Sequence, residues 1–156
     1  MDERDLEFLR EAMELARSAR RNGNHPFGAV LVDENGNALI RAVNTVVSER
    51  DFTGHAEMNL MRSAGSKYDA AFLAHCTVYA STEPCPMCAG ALFWGNVRRV
   101  VFGLSEEGLY DIVGWNTDEV LHLTCREVFA RGKKPVQVDG PLLEDEAREV
   151  HLGFWS

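Results

Sequence analysis

The chain has 156 residues, of which 46% are hydrophobic and 26% charged, and its formal net charge is −8. This length suits one domain over residues 1–156 and is too short for two ordinary domains. No apolar run approaches 18 residues and no Lys/Arg run exceeds two, which argues against a membrane span and against a surface built for a phosphate backbone. The acidic, amphipathic N-terminus has no apolar signal core, so we expect a cytoplasmic protein whose four cysteines stay reduced.

The first half of the chain predicts a helix, a hairpin and a second helix. Apolar residues recur at helical spacing over 6–23, which indicates an amphipathic helix. Two apolar runs, 28–32 and 38–43, flank the turn-forming sequence Asp-Glu-Asn-Gly at 33–36 and predict two strands joined by a tight turn. Strong helix formers then predict a helix over 56–65, with the final glycine as a left-handed cap.

The second half of the chain alternates strands with helices. In chain order we predict a strand over 76–81, a helix over 85–95, a strand over 98–103, an irregular stretch over 104–123, a helix over 124–132, a strand over 134–140 and a helix over 142–155. With the first half, this order predicts an α/β fold, a three-layer helix-sheet-helix sandwich with a five-stranded mixed sheet.

Two short motifs carry the chemistry. Cys85 and Cys88 lie three residues apart at a predicted helix start, and His55 lies at another. One histidine and two thiolates would leave the fourth position of a tetrahedral zinc ion open, as catalytic zinc sites require. Glu57 follows His55 by two residues and could move a proton beside the metal. A redox dithiol is the alternative for the cysteine pair alone, but it would need neither His55 nor Glu57.

The joint pattern His55-Ala56-Glu57 and Pro84-Cys85-Pro86-Met87-Cys88 matches the signature of zinc nucleobase deaminases. The chain resembles the cytidine deaminase superfamily over roughly 8–102, in "HPFGAVLV", "HAE" and "STEPCPMCAGALFW". A histidine as first ligand is similar to the branch that holds guanine, fungal cytosine, deoxycytidylate and tRNA adenosine deaminases.

The resemblance implies a role for each matching position. His55, Cys85 and Cys88 would bind Zn²⁺, and Glu57 would be the general acid/base. The substrate-binding residues would be Asn44, which would hydrogen-bond the ring, with Phe27, Ala56, Trp94, Asp111, Phe154 and Trp155 around it. Asp118 is an alternative to Asp111. His25, His75, His122 and His151 lack such a context and are predicted to be surface or packing residues.

The implied reaction is hydrolytic release of ammonia from a free nucleobase or amino-heterocycle of the guanine type: guanine, 8-oxoguanine, isocytosine or an aminotriazine such as ammeline. The alternatives are a tRNA adenosine-34 deaminase, a cytosine or nucleoside deaminase, and a zinc module without activity. The acidic segment "LLEDEAREVH" over 142–151 argues against a nucleic acid partner. The resemblance also implies a homodimer.

Overall fold

The computed structural model describes residues 2–155, which contain eight helices and a five-stranded sheet. The helices are α1 (Glu3–Arg21), α2 (Val46–Glu49), α3 (Ala56–Lys67), α4 (Ala70–Leu73), α5 (Pro86–Trp94), α6 (Glu106–Val113), α7 (Cys125–Ala130) and α8 (Glu144–Glu149). The strands are β1 (Gly28–Val32), β2 (Ala38–Val43), β3 (Thr77–Thr82), β4 (Arg99–Leu104) and β5 (Gln137–Asp139). No helix within 2–155 is long and apolar enough to cross a membrane.

The sheet has the order β2-β1-β3-β4-β5 and is mixed, as predicted. β1 pairs antiparallel with β2 and with β3, whereas β3, β4 and β5 run parallel. The parallel pair β3 and β4 is connected through α5, which is the usual way to return a chain to the same end of a sheet. The carboxyl end of β3 leads directly into the Cys85 turn, so the predicted metal site lies at an edge where open α/β sheets bind ligands.

Helices cover both faces of the sheet because successive side chains of each strand point to opposite faces. On one face, Val30 and Val101 pack against α1 and α8. On the other face, Leu31 and Val100 pack against α3, α5 and α7. This confirms the three-layer sandwich, and it gives the metal site a floor of buried side chains on the α3 and α5 side.

The helix α1 is held in place by its ends and by close packing. The Asp2 carboxylate accepts a hydrogen bond from the Asp5 N–H, and the Asp5 carboxylate accepts one from the Asp2 N–H, so the two form a capping box. Gly28 at the start of β1 has no side chain where the backbone of Ala12 approaches, and a Cβ there would collide with it. A glycine at this position therefore sets the distance between α1 and the sheet.

The sequence prediction omits the short helices α2 and α4, and several of its other boundaries differ from the structure. The predicted irregular stretch 104–123 contains α6, whose first turn is capped by the Ser105 hydroxyl accepting from the Gly108 N–H. The predicted cap at Gly65 is wrong, because α3 continues to Lys67 with helical geometry at that glycine. The final helix is shorter than predicted, since α8 ends at Glu149 and turns follow over 151–154.

Candidate active site

Two helices begin at the site. His55 is the N-cap of α3 and Cys85 is the N-cap of α5, and neither side chain caps its own helix. Both side chains are therefore free to turn towards each other. The Cys85 Sγ lies 3.5 Å from the His55 Nδ1, and the Cys88 Sγ lies 3.6 Å from the same nitrogen.

These three side chains fit a zinc ion. Their ligand atoms lie within 4.8 Å of one another, and no fourth His, Cys, Asp or Glu within 2–155 joins the group. Zinc bonds of about 2.3 Å to sulfur and about 2.0 Å to nitrogen at a tetrahedral angle separate N and S by about 3.5 Å. The observed separations match this value. Three protein ligands leave one position open, which is the arrangement of a catalytic and not a structural zinc site.

The thiols are arranged to become thiolates. A hydrogen bond from the Cys88 thiol, followed by one from His55, lowers the pKa of Cys85 to about 4. The hydrogen bond that Cys88 donates to Cys85, and then burial, raise the pKa of Cys88 well above its usual value. The backbone of Cys88 also lowers the pKa of Cys85, and the backbone of Met58 acts in the same direction on Cys88. Metal binding would displace the remaining proton, as expected when ligands must be deprotonated.

Glu57 lies in the first turn of α3, and its side chain is only 6% exposed. Burial, and then the negative charge of Cys85, raise the pKa of Glu57 to about 7. A carboxyl group with such a pKa can both accept and release a proton near neutral pH. Glu57 is also close enough to Cys85 and His55 for their charges to act on its pKa.

Asn44 is a buried polar residue in the loop between β2 and α2, at 1% exposure. Its N–H donates to the Phe27 carbonyl at 3.1 Å, and its Oδ1 accepts from the Val46 N–H at 3.0 Å. The loop around it is fixed by Asn59 of α3, whose side-chain amide donates to the Val43 carbonyl and the Thr45 hydroxyl, both at 2.9 Å. Asn59 was not predicted from the sequence, because its partners Val43 and Thr45 lie in a distant segment.

The aromatic C-terminus folds back onto the residues that precede β1. The Trp155 ring lies 5.4 Å from His25 and 6.2 Å from Phe27, and the Phe154 ring lies 6.0 Å from His25, all between ring centroids. His25 is close enough to His55 for the charge of that residue to lower the pKa of His25, after burial as the larger cause. The predicted residues Phe27, Phe154 and Trp155 thus lie together in one cluster of aromatic rings that also contains His25.

Residues 2–104 match the family described as the cytidine and deoxycytidylate deaminase zinc-binding region. The chain belongs to this deaminase family. The family is a zinc-binding one, and the His55, Cys85 and Cys88 group is the place in this chain that could hold the metal.

Relatives of this deaminase differ in their substrates. A probable cytosine deaminase from Schizosaccharomyces pombe is 42% identical over 100% of this chain and 95% of its own. The tRNA-specific adenosine deaminase of Bacillus subtilis is 34% identical over 95% of this chain and 86% of its own. A guanine deaminase structure from Nitrosomonas europaea superposes with a TM-score of 0.75 at 25% identity, covering 92% of this chain and 80% of that one. Deamination is therefore the shared activity, whereas the substrate varies among the relatives.

The structure does not bring every predicted residue of this deaminase to the metal group. Trp94 ends α5, at the opposite end from Cys85, and is 79% exposed beside Phe93 and Lys134. It is not a wall of this chain's own site. Asp111 accepts a hydrogen bond from the Trp115 indole at 2.8 Å and is exposed. Next to Asp118, the charge of Glu119 raises the pKa of His25, although burial lowers it by more.

Glu83, inside the cysteine motif, is a second residue for which the sequence predicted no role. Its buried carboxylate accepts a hydrogen bond from the Glu106 N–H at 2.9 Å and another from the Cys125 N–H at 3.0 Å. These are the first residues of α6 and α7, so one side chain satisfies the N-termini of two helices. Glu83 lies two residues before Cys85 and joins the metal turn to the segment between those helices.

Proposed function

We propose that this chain is a hydrolytic, zinc-dependent deaminase of a free nucleobase or a related amino-heterocycle, with rings of the guanine type as first candidates. The observation that supports the proposal is the cluster of rings formed by Phe27, Phe154, Trp155 and His25, with the Phe27 carbonyl accepting a hydrogen bond from the N–H of the buried Asn44. Aromatic walls with one buried amide suit a flat heterocycle that carries hydrogen-bonding edges. Ala56, in the first turn of α3, would offer its backbone N–H to the same ring.

The chain's residues divide the chemistry between them. Zinc held by His55, Cys85 and Cys88 would supply a hydroxide nucleophile near neutral pH, because the metal lowers the pKa of water. Glu57 would take the proton of the attacking water and pass it to a ring nitrogen and then to the departing amino group. A C–O bond forms, the exocyclic C–N bond breaks, and ammonia leaves. Asn44 would hold the ring edge during these transfers.

Two kinds of base have specific support. The guanine deaminase structure that superposes on the chain supports a purine or a purine-like ring. The full-length relative at 42% identity supports cytosine as the second candidate. An ammonia-release screen of the zinc-loaded protein over guanine, 8-oxoguanine, isocytosine, ammeline, cytosine and their nucleosides distinguishes them, because each candidate predicts a different best substrate.

A matched pair of variants tests the chemistry. Glu57→Gln should retain zinc and lose about 10³-fold or more in turnover, in line with the contribution of a positioned acid/base. Glu49→Gln, an exposed carboxylate on α2, should match the wild type. Ammonia release by Glu57→Gln at the wild-type rate, or a screen without any ammonia release from a zinc-loaded protein, would overturn the proposal.

The tRNA alternative is supported by the Bacillus subtilis relative and opposed by charge. The formal net charge is −8, and α8 carries Glu144, Asp145, Glu146 and Glu149. The basic side chains Arg126, Lys133 and Lys134 line a separate cavity of about 470 Å³ between α7 and β5, which contains none of the metal-site residues. We therefore expect no salt-sensitive tRNA binding. A shifted tRNA band at low salt that is lost in Lys133→Ala/Lys134→Ala would favour the alternative.

The predicted homodimer and cytoplasmic location belong to the same proposal. Sedimentation of the zinc-loaded protein tests the first, with a mass of two chains as the expected result.

A further inference from the structure

The tail segment, residues 150–155, is held on the body of the protein by α1. The Arg20 guanidinium donates to the Val150 carbonyl at 2.9 Å and to the Leu152 carbonyl at 2.8 Å. The same guanidinium lies 5.6 Å above the Phe154 ring. One charged side chain thus fixes the course of the backbone in this segment, whereas Trp155, at its end, is held by other partners.

His151 is the fully buried residue of the tail segment, and both its ring nitrogens are engaged. The Trp155 indole N–H donates to His151 Nδ1 at 3.1 Å, and Thr82 Oγ1 lies 3.1 Å from His151 Nε2. An indole nitrogen can only donate, so Nδ1 must be the unprotonated nitrogen. The proton is then on Nε2, which donates to the Thr82 hydroxyl. These partners define one tautomer of a neutral imidazole.

The Trp155 ring packs in a cluster of rings that reaches the loop of Asn44. Its ring stacks on His151 with an interplanar angle of 16° and also contacts His25 and Phe27. The Phe27 ring itself contacts His151 at 5.3 Å, and the Phe27 carbonyl accepts from Asn44. His151 therefore lies between β3 and Trp155, and the indole closes the same group of rings that stands beside Asn44.

We propose that His151 is a positioning residue that holds the Trp155 indole against His25 and Phe27, and that this fixed indole makes the site select a bare base over its nucleoside. A ribose adds a bulky polar group to a ring nitrogen, and a wall that cannot move aside excludes it. The selectivity part rests on the proposed function. The holding of Trp155 by His151 does not, because it follows from the hydrogen bonds alone.

The first test needs no substrate. The chain has three tryptophans, so Trp94→Phe/Trp115→Phe leaves Trp155 as the sole indole fluorophore. In this background, His151→Phe keeps an aromatic ring but removes both hydrogen bonds. We expect acrylamide quenching of Trp155 to rise about two-fold or more, with emission shifted to longer wavelength, as the end of the chain opens locally. His75→Phe, at an exposed histidine, is the control and should change neither quantity. Unchanged quenching and emission in His151→Phe would overturn the proposal.

The second test measures selectivity with the best base from the ammonia screen. His151→Phe should raise KM for the base about ten-fold with kcat nearly unchanged, as expected for the loss of one or two hydrogen bonds that only position a wall. The preference for base over nucleoside should fall by a similar factor. A raised quenching with an unchanged preference would refute the selectivity part. If His151→Phe does not fold, Thr82→Val removes the hydrogen bond to His151 Nε2 with little change in volume and carries the same expectations for KM and preference.

The two proposals fail in different ways. A protein that deaminates no base removes the proposed function, and the fluorescence test still decides whether His151 holds Trp155. A protein that deaminates a base but leaves Trp155 equally protected in His151→Phe keeps the proposed function and removes the role of His151.

Discussion

The buried side chain of His151 makes the free energy of unfolding depend on pH. Burial, and then the charge of Arg20, lower the pKa of His151 to about 4 from a usual value of 6.5. The unfolded chain therefore binds a proton at this residue below about pH 6.5, and the folded chain does so only below about pH 4. Stability must fall as the pH decreases through this window, because the unfolded state takes up more protons.

The first prediction compares the wild type with His151→Gln. The wild type should lose about 3 kcal/mol more unfolding free energy than the variant between about pH 7 and about pH 4, the amount that corresponds to the pKa difference. Denaturant titrations at several pH values measure it. Titrations of the metal ligands are common to both proteins and cancel in the difference. Equal pH dependence in the two proteins would show that His151 is accessible to protons in the folded state.

At the scale of elements, α1 is joined to the sheet by a network of charges around Arg99. Its guanidinium donates to both oxygens of Asp5, at 2.9 and 3.0 Å, and to Asp139 at the end of β5. The Tyr79 hydroxyl also donates to Asp5. Arg99, above all, holds the pKa of the Asp5 carboxyl well below its usual range. One helix and three neighbouring strands are thus joined through this network.

The second prediction concerns this network. Asp5→Asn should lower the free energy of unfolding by about 2 to 4 kcal/mol near neutral pH, because it leaves Arg99 partly buried with one of its two carboxylate partners removed. The difference from wild type should shrink as the pH falls below the unfolded pKa of Asp5, near 3.8, because the unfolded wild type takes up a proton there while the folded Asp5 stays charged. Asp145→Asn, at an exposed pair with Arg148, should cost at most about 0.5 kcal/mol. Equal losses in the two variants would contradict the buried role.

The elements themselves were largely predictable. Hydrophobic periodicity and turn residues indicated α1, the β1–β2 hairpin and the alternation of strands and helices after it. The helix α6 was missed because its first turn holds two glutamates and a glycine and its apolar stripe is short. Its start depends on the Ser105 cap and on a carboxylate from a distant residue, Glu83, and the second contact exists only once the chain is folded. The cap predicted at Gly65 failed because a glycine also fits inside a helix.

At the scale of the whole molecule, the metal group joins two helices that come from different parts of the chain. His55 begins α3 and Cys85 begins α5, and these helices pack on the same face of the sheet. A ligand that binds only the folded state adds its binding free energy to stability. Zinc bound there should therefore stabilise the entire fold as well as enable catalysis.

The third prediction concerns the removal of zinc. A chelator should lower Tm by about 5 to 10 °C, as expected for a loss of about 2.7 kcal/mol at a hundred-fold excess of ligand over Kd in a chain of this size. Added zinc should restore the wild-type Tm. Cys85→Ser should have a low Tm that zinc does not raise, whereas Cys76→Val, a buried cysteine outside the group, should keep the zinc response. A zinc response in Cys85→Ser equal to that of wild type would contradict the ligand assignment.

The site was predictable only in part, for a physical reason. The metal ligands and Glu57 are local in sequence, within two short motifs at helix starts, and spacing alone indicated them. His25, Asn59 and His151 come to the site through packing between distant segments, so no local pattern marked them. Trp94 was misplaced because residues close in sequence are carried apart along a helix, by about 1.5 Å for each residue.

The two hydrogen bonds that the Glu83 carboxylate accepts fix both ends of the segment 106–125. Because the N–H groups of Glu106 and Cys125 bind the two oxygens of one carboxylate, the two ends of the segment between them are held at the same point. The family match ends at residue 104, just before this segment begins. The cost of closing a loop rises only slowly with its length. A change in the length of this segment should therefore leave the metal turn in its present shape, because both ends stay attached to Glu83.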